Sequence, residues 1–427
     1  MTRALGLDFG LSGVRTAVVD DHDGLIATGR AGDPVRIAGG QAEYDPEAAW
    51  LSMCAAIDQL GEAADTVDVI GIGALGPTPF LVDSFATPLT PGLCFSLDTR
   101  ANDERRAIDP MLSHDHALAK VLWLSERTPG AAFAVDMASW VGWRLTGEPT
   151  MDAITRLQYV HAGTECPVPL PPSIDPLAVI GPLTADIGVP TGIPVVAGTL
   201  DSYVDVVAAG CTRVGDGCVI LGSTLIIYGV VPVPVTVPGL ELQPYPGDGY
   251  LLGGSTANGG NVLAWAHSLL GTDVAADASG VEMLPYLTGE RTPVRTVDAQ
   301  GAITGLSLTT TGPQIVRAVV DALGLATLDH SDLIESVAHI DRWVVTGGGV
   351  QSDAWLQVTA DALGQPLEVS PLAGGGSGPA LFALHALGVV PSFPATRTVE
   401  PDLASTERLR AALGSYRERT RSVEAAP

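Results

Sequence analysis

The 427-residue chain has a single lysine, Lys120, and only 22 basic residues against 48 acidic ones, for a formal net charge of −26. Gripping nucleic acid takes a basic footprint that displaces counterions from phosphate, and this composition excludes that role and disfavours an anionic membrane surface. The lone lysine also excludes a Walker-type phosphate loop, because Lys120 sits in no glycine loop. The five cysteines, Cys54, Cys94, Cys166, Cys211 and Cys218, include no CxxC pair, so neither a zinc ribbon nor a disulfide framework is indicated, and free thiols are expected. Neither HExxH nor GxSxG occurs, which removes the commonest zinc-protease and serine-hydrolase signatures. Asp8 interrupts the N-terminus before a signal-peptide core can form, and no apolar run reaches about 18 residues. A soluble, cytoplasmic protein is therefore expected.

What is plentiful is small residues, with 50 glycines, 32 prolines and 46% hydrophobic residues recurring along the whole length. That reads as a folded chain with many turns and enough length for two domains. Residues 4–30 read as three short strands, ALGLDFG, VRTAVVD and GLIATGR, separated by turns. The pattern returns far downstream, where GCVILGST (217–224) runs through a small hydroxyl turn into LIIYGVV. A β–turn–β unit used twice predicts an internal duplication, with two domains of like design facing each other and a boundary near residue 211. Helical periodicity marks 45–61, 114–127, 131–147, 313–337 and a polar segment at 408–422. Strand–turn–helix units are read at 192–210 and 341–364, and a glycine-rich turn into a helix at 374–388.

Four segments carry candidate chemistry. In Asp8-Phe9-Gly10-Leu11-Ser12-Gly13, two glycines can fold the backbone into an anion nest, with Asp8 placed to hold Mg²⁺ through water, although a plain hairpin explains the glycines too. Gly222-Ser223-Thr224 is the same device in the second copy, or a simple strand-end turn. Thr346-Gly347-Gly348-Gly349-Val350-Gln351-Ser352 ends a strand and opens a helix; its glycines could admit a flat ring or a ribose, while Ser352 could equally cap the helix. Asp201, in AGTLDSY, follows a buried strand and precedes a helix, where it is either a base for a substrate hydroxyl or an N-cap. Gly71-Ile72-Gly73-Ala74-Leu75-Gly76 fits a dinucleotide fingerprint, with Asp98 at a suitable distance, but Pro77 and Pro79 are hard to fit into the helix such a site requires.

Taken in order, these motifs resemble the FGGY carbohydrate kinase family, which includes xylulose, ribulose, gluconate and glycerol kinases. The resemblance runs from about residue 4 to 390 and rests on GLDFGLSGVRTAVVD, PLTPGLCFSLDTRA (88–101), KVLWLSERTPG with WRLTGE, PVVAGTLDSY, LPYLTGERTP (284–293) with GAITGLSL, and GGGVQSDAWLQVTADALGQPLEV. It implies an α/β protein of two ribonuclease-H-like domains of the actin and hexokinase type with an interdomain cleft, 1–210 for sugar and base and 211–427 for ATP. It implies ATP and Mg²⁺ as cofactors, with Asp201 as base. Asp8, Gly10, Ser12, Arg15, Gly222, Ser223, Thr224, Gly347, Gly348, Gly349 and Ser352 are the implied ATP residues. Asp98, Thr78 and Asp201 are the implied substrate residues, and Asp8 and Asp201 the implied metal residues, acting through water. The expected partner is a small sugar or polyol, with no nucleic acid or membrane; a homodimer is compatible with the sequence. The chain departs from the family at Leu11, where a hydroxyl is usual, at the order Ser223-Thr224, and at Gly76-Pro77-Thr78, where xylulose kinases carry Met-His. Leu11 is expected to cover apolar surface. The alternatives are a non-catalytic sugar or nucleotide sensor and, more remotely, an NAD-dependent dehydrogenase.

Overall fold

The computed structural model describes residues 1–427 apart from 33, 39–40, 96, 111, 113–115, 246–248, 297–298, 371, 373–375, 393–396 and 425–427. The first residues of two sequence-read segments, 114–115 of 114–127 and 374–375 of 374–388, lie outside the described residues. The chain forms two compact units, Met1–Ala208 with Gly374–Phe393, and Ala209–Ala373 with Pro394–Pro427.

In the first unit, strands Arg3–Gly10, Gly13–Asp20 and Gly24–Ala31 form an antiparallel meander. Strand Val69–Ala74 lies parallel to the first of them, and Pro194–Val196 and Thr199–Leu200 lie parallel to Val69–Ala74. Side chains alternate across this sheet. Leu5, Leu7 and Phe9 join Ile70 and Ile72 in a core that also takes Met53 and Ile57 from helix Pro46–Asp58 and Trp140 and Leu145 from helix Met137–Thr146. The opposite face carries Gly6 beside Gly71 and Asp8 beside Gly73. Helix Ser377–Ala386 lies on that glycine face: a Cβ on Gly71 would stand 2.0 Å from the Pro379 carbonyl oxygen, and one on Gly6 2.3 Å from the Gly376 oxygen. Gly71 and Gly73 are thus spent on close helix–sheet packing. The dinucleotide alternative fails for that reason, because no helix follows these glycines and their open side is filled.

The second unit repeats the plan. Strands Asp216–Leu221, Leu225–Val231 and Tyr250–Ser255 form the meander, Arg342–Thr346 lies parallel to the first, and Leu367–Val369 parallel to that. Helices Gly312–Glu335, Asp353–Leu363 and Leu403–Glu424 contribute to a core centred on Leu221, Ile227, Trp343 and Trp355. Both units therefore have three antiparallel strands followed by two parallel ones, in the order third, second, first, fourth, fifth. This is the ribonuclease-H-like design that the resemblance implied.

Element ends differ from the sequence reading in instructive ways. The segment 131–147 is a strand, Phe133–Val135, before it is a helix, because Asp136 caps the helix through the Ser139 N–H at 2.9 Å and fixes its start at Met137. Helix Ser377–Ala386 lies downstream of residue 210, so the sequence division assigns it to the second domain; its packing on Arg3–Gly10 and Val69–Ala74 assigns it to the first unit. Lys120 is fully buried, and its ammonium donates to the carbonyls of Leu93 and Cys94. Among the described residues, no helix is long and apolar enough to cross a membrane.

Candidate active site

The first loop is shaped by its hairpin. Asp8 pairs in register with Arg15, and the Arg15 guanidinium lies 3.3 Å from the Asp8 carboxylate while donating to Ser12 Oγ at 2.7 Å. Arg30 donates to the Ser12 carbonyl at 2.7 Å. Of the two loop glycines, only Gly13 is demanded by the backbone, with φ of 117° and no room for a Cβ beside the Gly32 oxygen at 2.5 Å. A Cβ on Gly10 would make ordinary contacts at 3.7 Å. Leu11 is 38% exposed at the loop tip.

Asp8 lies on the sheet face that helices Asp201–Ala208 and Ser377–Ala386 cover, and this brings a third carboxylate into the group. Asp201 opens its helix and accepts the Ser202 N–H at 2.8 Å. Asp205 follows one helical turn later, against Gly378. Burial pushes Asp205 well above the ordinary carboxylate range, the negative charges of Asp8 and Asp201 push it further, and Arg15 opposes them. Burial likewise raises Asp8 against the pull of Arg15. The sequence reading missed Asp205. Its spacing of four from Asp201 on a helix was the available signal, but no motif marked it.

Thr78 is buried, and its hydroxyl accepts the Phe95 N–H at 3.2 Å. Asp98 is also buried, and both of its oxygens are engaged. Oδ2 accepts from the Ala42 N–H at 3.0 Å and from Arg100 Nε at 2.9 Å, and Oδ1 accepts the Arg100 N–H at 3.1 Å. Burial would raise this carboxyl, but Arg100 and the two backbone donors outweigh it and hold it below the usual value. Arg100 continues to Glu43 at 2.9 Å and stacks over Trp123. These bonds give Asp98 a structural task in joining the strand Gln41–Tyr44 to its neighbours.

In the second unit, Gly222, Ser223 and Thr224 turn between the first two strands, with the Gly222 N–H donating to the Thr224 carbonyl at 3.0 Å. The loop is tied to the start of helix Gly260–Leu270: Gly260 N–H donates to the Gly222 carbonyl at 3.0 Å, and Asn261 N–H to the Ser223 carbonyl at 3.1 Å. The segment that holds that helix start in place comes from 287–293. Glu290 accepts the N–H of Ala257 at 2.6 Å and of Arg291 at 2.7 Å, Asn258 donates to the Gly289 carbonyl at 2.7 Å, and Arg291 donates to the Thr256 carbonyl at 2.9 Å. Burial raises Glu290 to about 7 against those donors. Glu290 and Asn258 were also missed. LPYLTGERTP was read as a family marker without a physical task, and its task here is to brace the loop that braces Gly222–Thr224.

The glycine turn after Arg342–Thr346 divides by role. Gly347, at φ of 95°, presses on the Leu221 carbonyl, and Gly349 presses on Leu221 and the Trp355 ring. Only at Gly348 would a Cβ meet nothing within 4 Å, so bare backbone is open there. Ser352 is the N-cap of helix Asp353–Leu363, accepting the Trp355 N–H at 3.4 Å.

Residues 218–387 match the C-terminal domain of the FGGY family of carbohydrate kinases. The chain is 28% identical over 407 residues to the xylulose kinase of Streptomyces coelicolor, covering 86% of this chain and 84% of that protein. It is 27% identical over 451 residues to the glycerol kinase of Alkalilimnicola ehrlichii, covering 91% of each. The crystal structure of xylulose kinase from Rhodospirillum rubrum superimposes with a TM-score of 0.84 at 25% identity, over 98% of both chains. A duplicated ribonuclease-H-like fold with these likenesses defines a carbohydrate kinase, a phosphotransferase by class. These likenesses relate the chain to the FGGY carbohydrate kinases, with the family match itself lying in residues 218–387.

Proposed function

We propose that this kinase transfers the γ-phosphoryl group of ATP to a hydroxyl of a small sugar, ketose, polyol or sugar acid, with Asp201 as the base. The observation that carries the reading is the convergence of Asp8, Asp201 and Asp205 in the first unit, with Arg15 as the opposing charge. A carboxylate at the start of a helix, just after a strand, is placed to take the proton of an attacking hydroxyl. The backbone of residues 10–13, with Ser12 and Arg15, and that of 222–224, with Ser223 and Thr224, are the phosphate-binding loops in this reading. The open backbone at Gly348 takes adenosine, between Gly347 and Gly349, which shape the turn, and Ser352, which fixes the following helix. Thr78 and Asp98 border the substrate, Asp98 through the ion pair that fixes its segment.

Mg²⁺ fits the donor set of the first unit, which is carboxylate oxygen in excess of basic charge. Among the described residues, no three acidic, histidine or cysteine side chains stand together as a direct metal cage. That suits an ion that keeps several waters and takes its other ligands from phosphate. Asp8 and Asp201 would hold it through water, and when bound it neutralises charge on the phosphoryl oxygens.

The relatives bear the names of xylulose and glycerol kinases, and both substrate classes belong in the test. ADP release is measured over a panel of ketoses, polyols and sugar acids, in parallel with thermal shifts from the same compounds. Turnover with at least one compound is expected. Stabilisation by a sugar and by ATP with no ADP release from any compound would replace this reading with that of a non-catalytic binder.

A further inference from the structure

The chain's single lysine lies inside the first unit. Helix Ala117–Ser125 packs Ala117, Val121 and Leu124 with Leu81 and Leu93 in a small apolar cluster, and Lys120, on the same helix, is fully buried. Its ammonium donates to two consecutive carbonyls, that of Leu93 at 3.4 Å and that of Cys94 at 3.0 Å. Burying an ammonium is costly, and a methionine of similar length would fill the space without that cost. What lysine offers over methionine here is a directional grip on backbone oxygen.

The backbone it grips is the one that Thr78 and Asp98 are tied to. On the N–H side, Leu93 donates to the Pro79 carbonyl at 3.0 Å, Cys94 to the Ala42 carbonyl at 3.0 Å, and Phe95 to the Thr78 hydroxyl at 3.2 Å. On the carbonyl side, the Cys94 oxygen that takes Lys120 also takes the Asp98 N–H at 3.2 Å, and Asp98 Oδ2 in turn takes the Ala42 N–H at 3.0 Å. The Cys94 carbonyl is therefore a joint: it links Lys120 directly to Asp98 and, through the next residue, Phe95, to Thr78. This joint lies at the end of the sheet where Asp201 begins its helix. Ala74 pairs in parallel register with Leu200, so that Leu75 and Asp201 leave the two strands side by side, and Thr78 follows three residues after Leu75.

We propose that Lys120 is a positioning residue for the phosphoryl acceptor: by holding the Leu93 and Cys94 carbonyls it fixes Thr78 and Asp98 relative to each other, and so sets how tightly the sugar or polyol is bound. The proposal rests on the proposed function in taking Thr78 and Asp98 as acceptor residues. Lys120 moves no proton and touches neither acceptor nor ATP; it acts through the backbone of 93–95.

The test uses the full chain, with whichever of D-xylulose and glycerol gives the higher kcat/KM as acceptor. Lys120→Met keeps the length and apolar body of the side chain and removes the donor. Its KM for the acceptor rises at least about 10-fold, while kcat and the KM for ATP stay within about 3-fold, the pattern of lost acceptor binding. Lys120→Gln, which keeps an N–H donor on a side chain one atom shorter, gives a smaller rise and carries the test alone if Lys120→Met does not fold. Leu124→Ala, from the same helix and the same cluster, lowers the melting temperature but leaves the acceptor KM unchanged. Joining Lys120→Met to Thr78→Val raises the acceptor KM by less than the product of the two single effects, because both loosen the backbone around Phe95. An unchanged acceptor KM in Lys120→Met would overturn the proposal. An equal rise in Leu124→Ala would overturn it too, by reducing Lys120 to a part of the core. Absence of turnover by the wild type counts against the proposed function alone; the acceptor Kd from calorimetry then decides, and equal values in wild type and Lys120→Met overturn the role of Lys120.

Discussion

Asp201 begins a helix and, in the proposed function, is also the base. Its Oδ1 takes the Ser202 N–H, a contact an asparagine can keep, so Asp201→Asn separates the two roles. The kcat of Asp201→Asn falls at least about 100-fold while the Kd for the sugar stays within a few-fold, measured by ADP release and calorimetry. Near-normal turnover would remove Asp201 from the mechanism. Asp205 is predicted to behave in the opposite sense. Its carboxyl is raised first by burial and then by Asp8 and Asp201, from 3.8. A raised acid binds its proton more tightly in the folded state. Its contribution to stability is fully present below pH 3.8 and is lost as the pH climbs through the folded value. An asparagine in its place mimics the protonated acid at every pH. Asp205→Asn therefore raises the melting temperature by about 2–4 °C at pH 8 and leaves it unchanged near pH 3.5. A variant that melts no higher than wild type at pH 8 would show that this carboxyl is not strained.

At the level of elements, the glycine face beneath helix Ser377–Ala386 makes two graded substitutions informative. A methyl on Gly71 would be driven to within 2.0 Å of a backbone carbonyl oxygen, whereas one on Gly73 would meet Pro379 Cγ at 2.9 Å, a ring atom that can yield slightly. Gly71→Ala costs about 3 kcal/mol or more and Gly73→Ala about 1 kcal/mol, read from urea unfolding. Equal and small costs would mean that the helix does not seat on these strands. In the second unit, the brace made by Glu290 carries its own pH signature. Its folded value of about 7 stands above the ordinary 4.5, so the proton it retains stabilises the fold most below pH 4.5, and that advantage fades up to about pH 7. The stability of wild type relative to Glu290→Gln consequently falls between pH 4.5 and 7 and is level above it. A flat difference across this range would place the Glu290 carboxyl in water.

At the scale of the whole molecule, the single lysine is buried on the Leu93 and Cys94 carbonyls, and in the proposed function phosphate is held by backbone N–H groups, hydroxyls and Arg15 instead. The paired hairpins were legible because turn chemistry and strand alternation are local: 4–30 and 217–231 could be read as strands from their own residues. The strand order was not, since Arg3–Gly10 pairs with Val69–Ala74, and that strand with Pro194–Val196, across separations that no local pattern encodes. For the same reason the loops with signature glycines were found, whereas Asp205, Glu290 and Asn258 were not; they matter through what the fold sets beside them. The assignment of helix Ser377–Ala386 shows the effect most plainly. Its neighbours in sequence, including Leu367–Val369, belong to the second unit, yet it covers Gly6, Gly71 and Gly73 of the first. A fragment of residues 1–210 therefore lacks one layer of its own fold and leaves the sheet face with Gly6 and Gly71 bare. Such a fragment is expected to show weak, non-cooperative thermal unfolding, and joining residues 374–393 to its end through a flexible linker is expected to restore a cooperative transition. If 1–210 alone unfolds as sharply as the fused version, the helix is an accessory to that unit and the boundary near residue 211 is the better division.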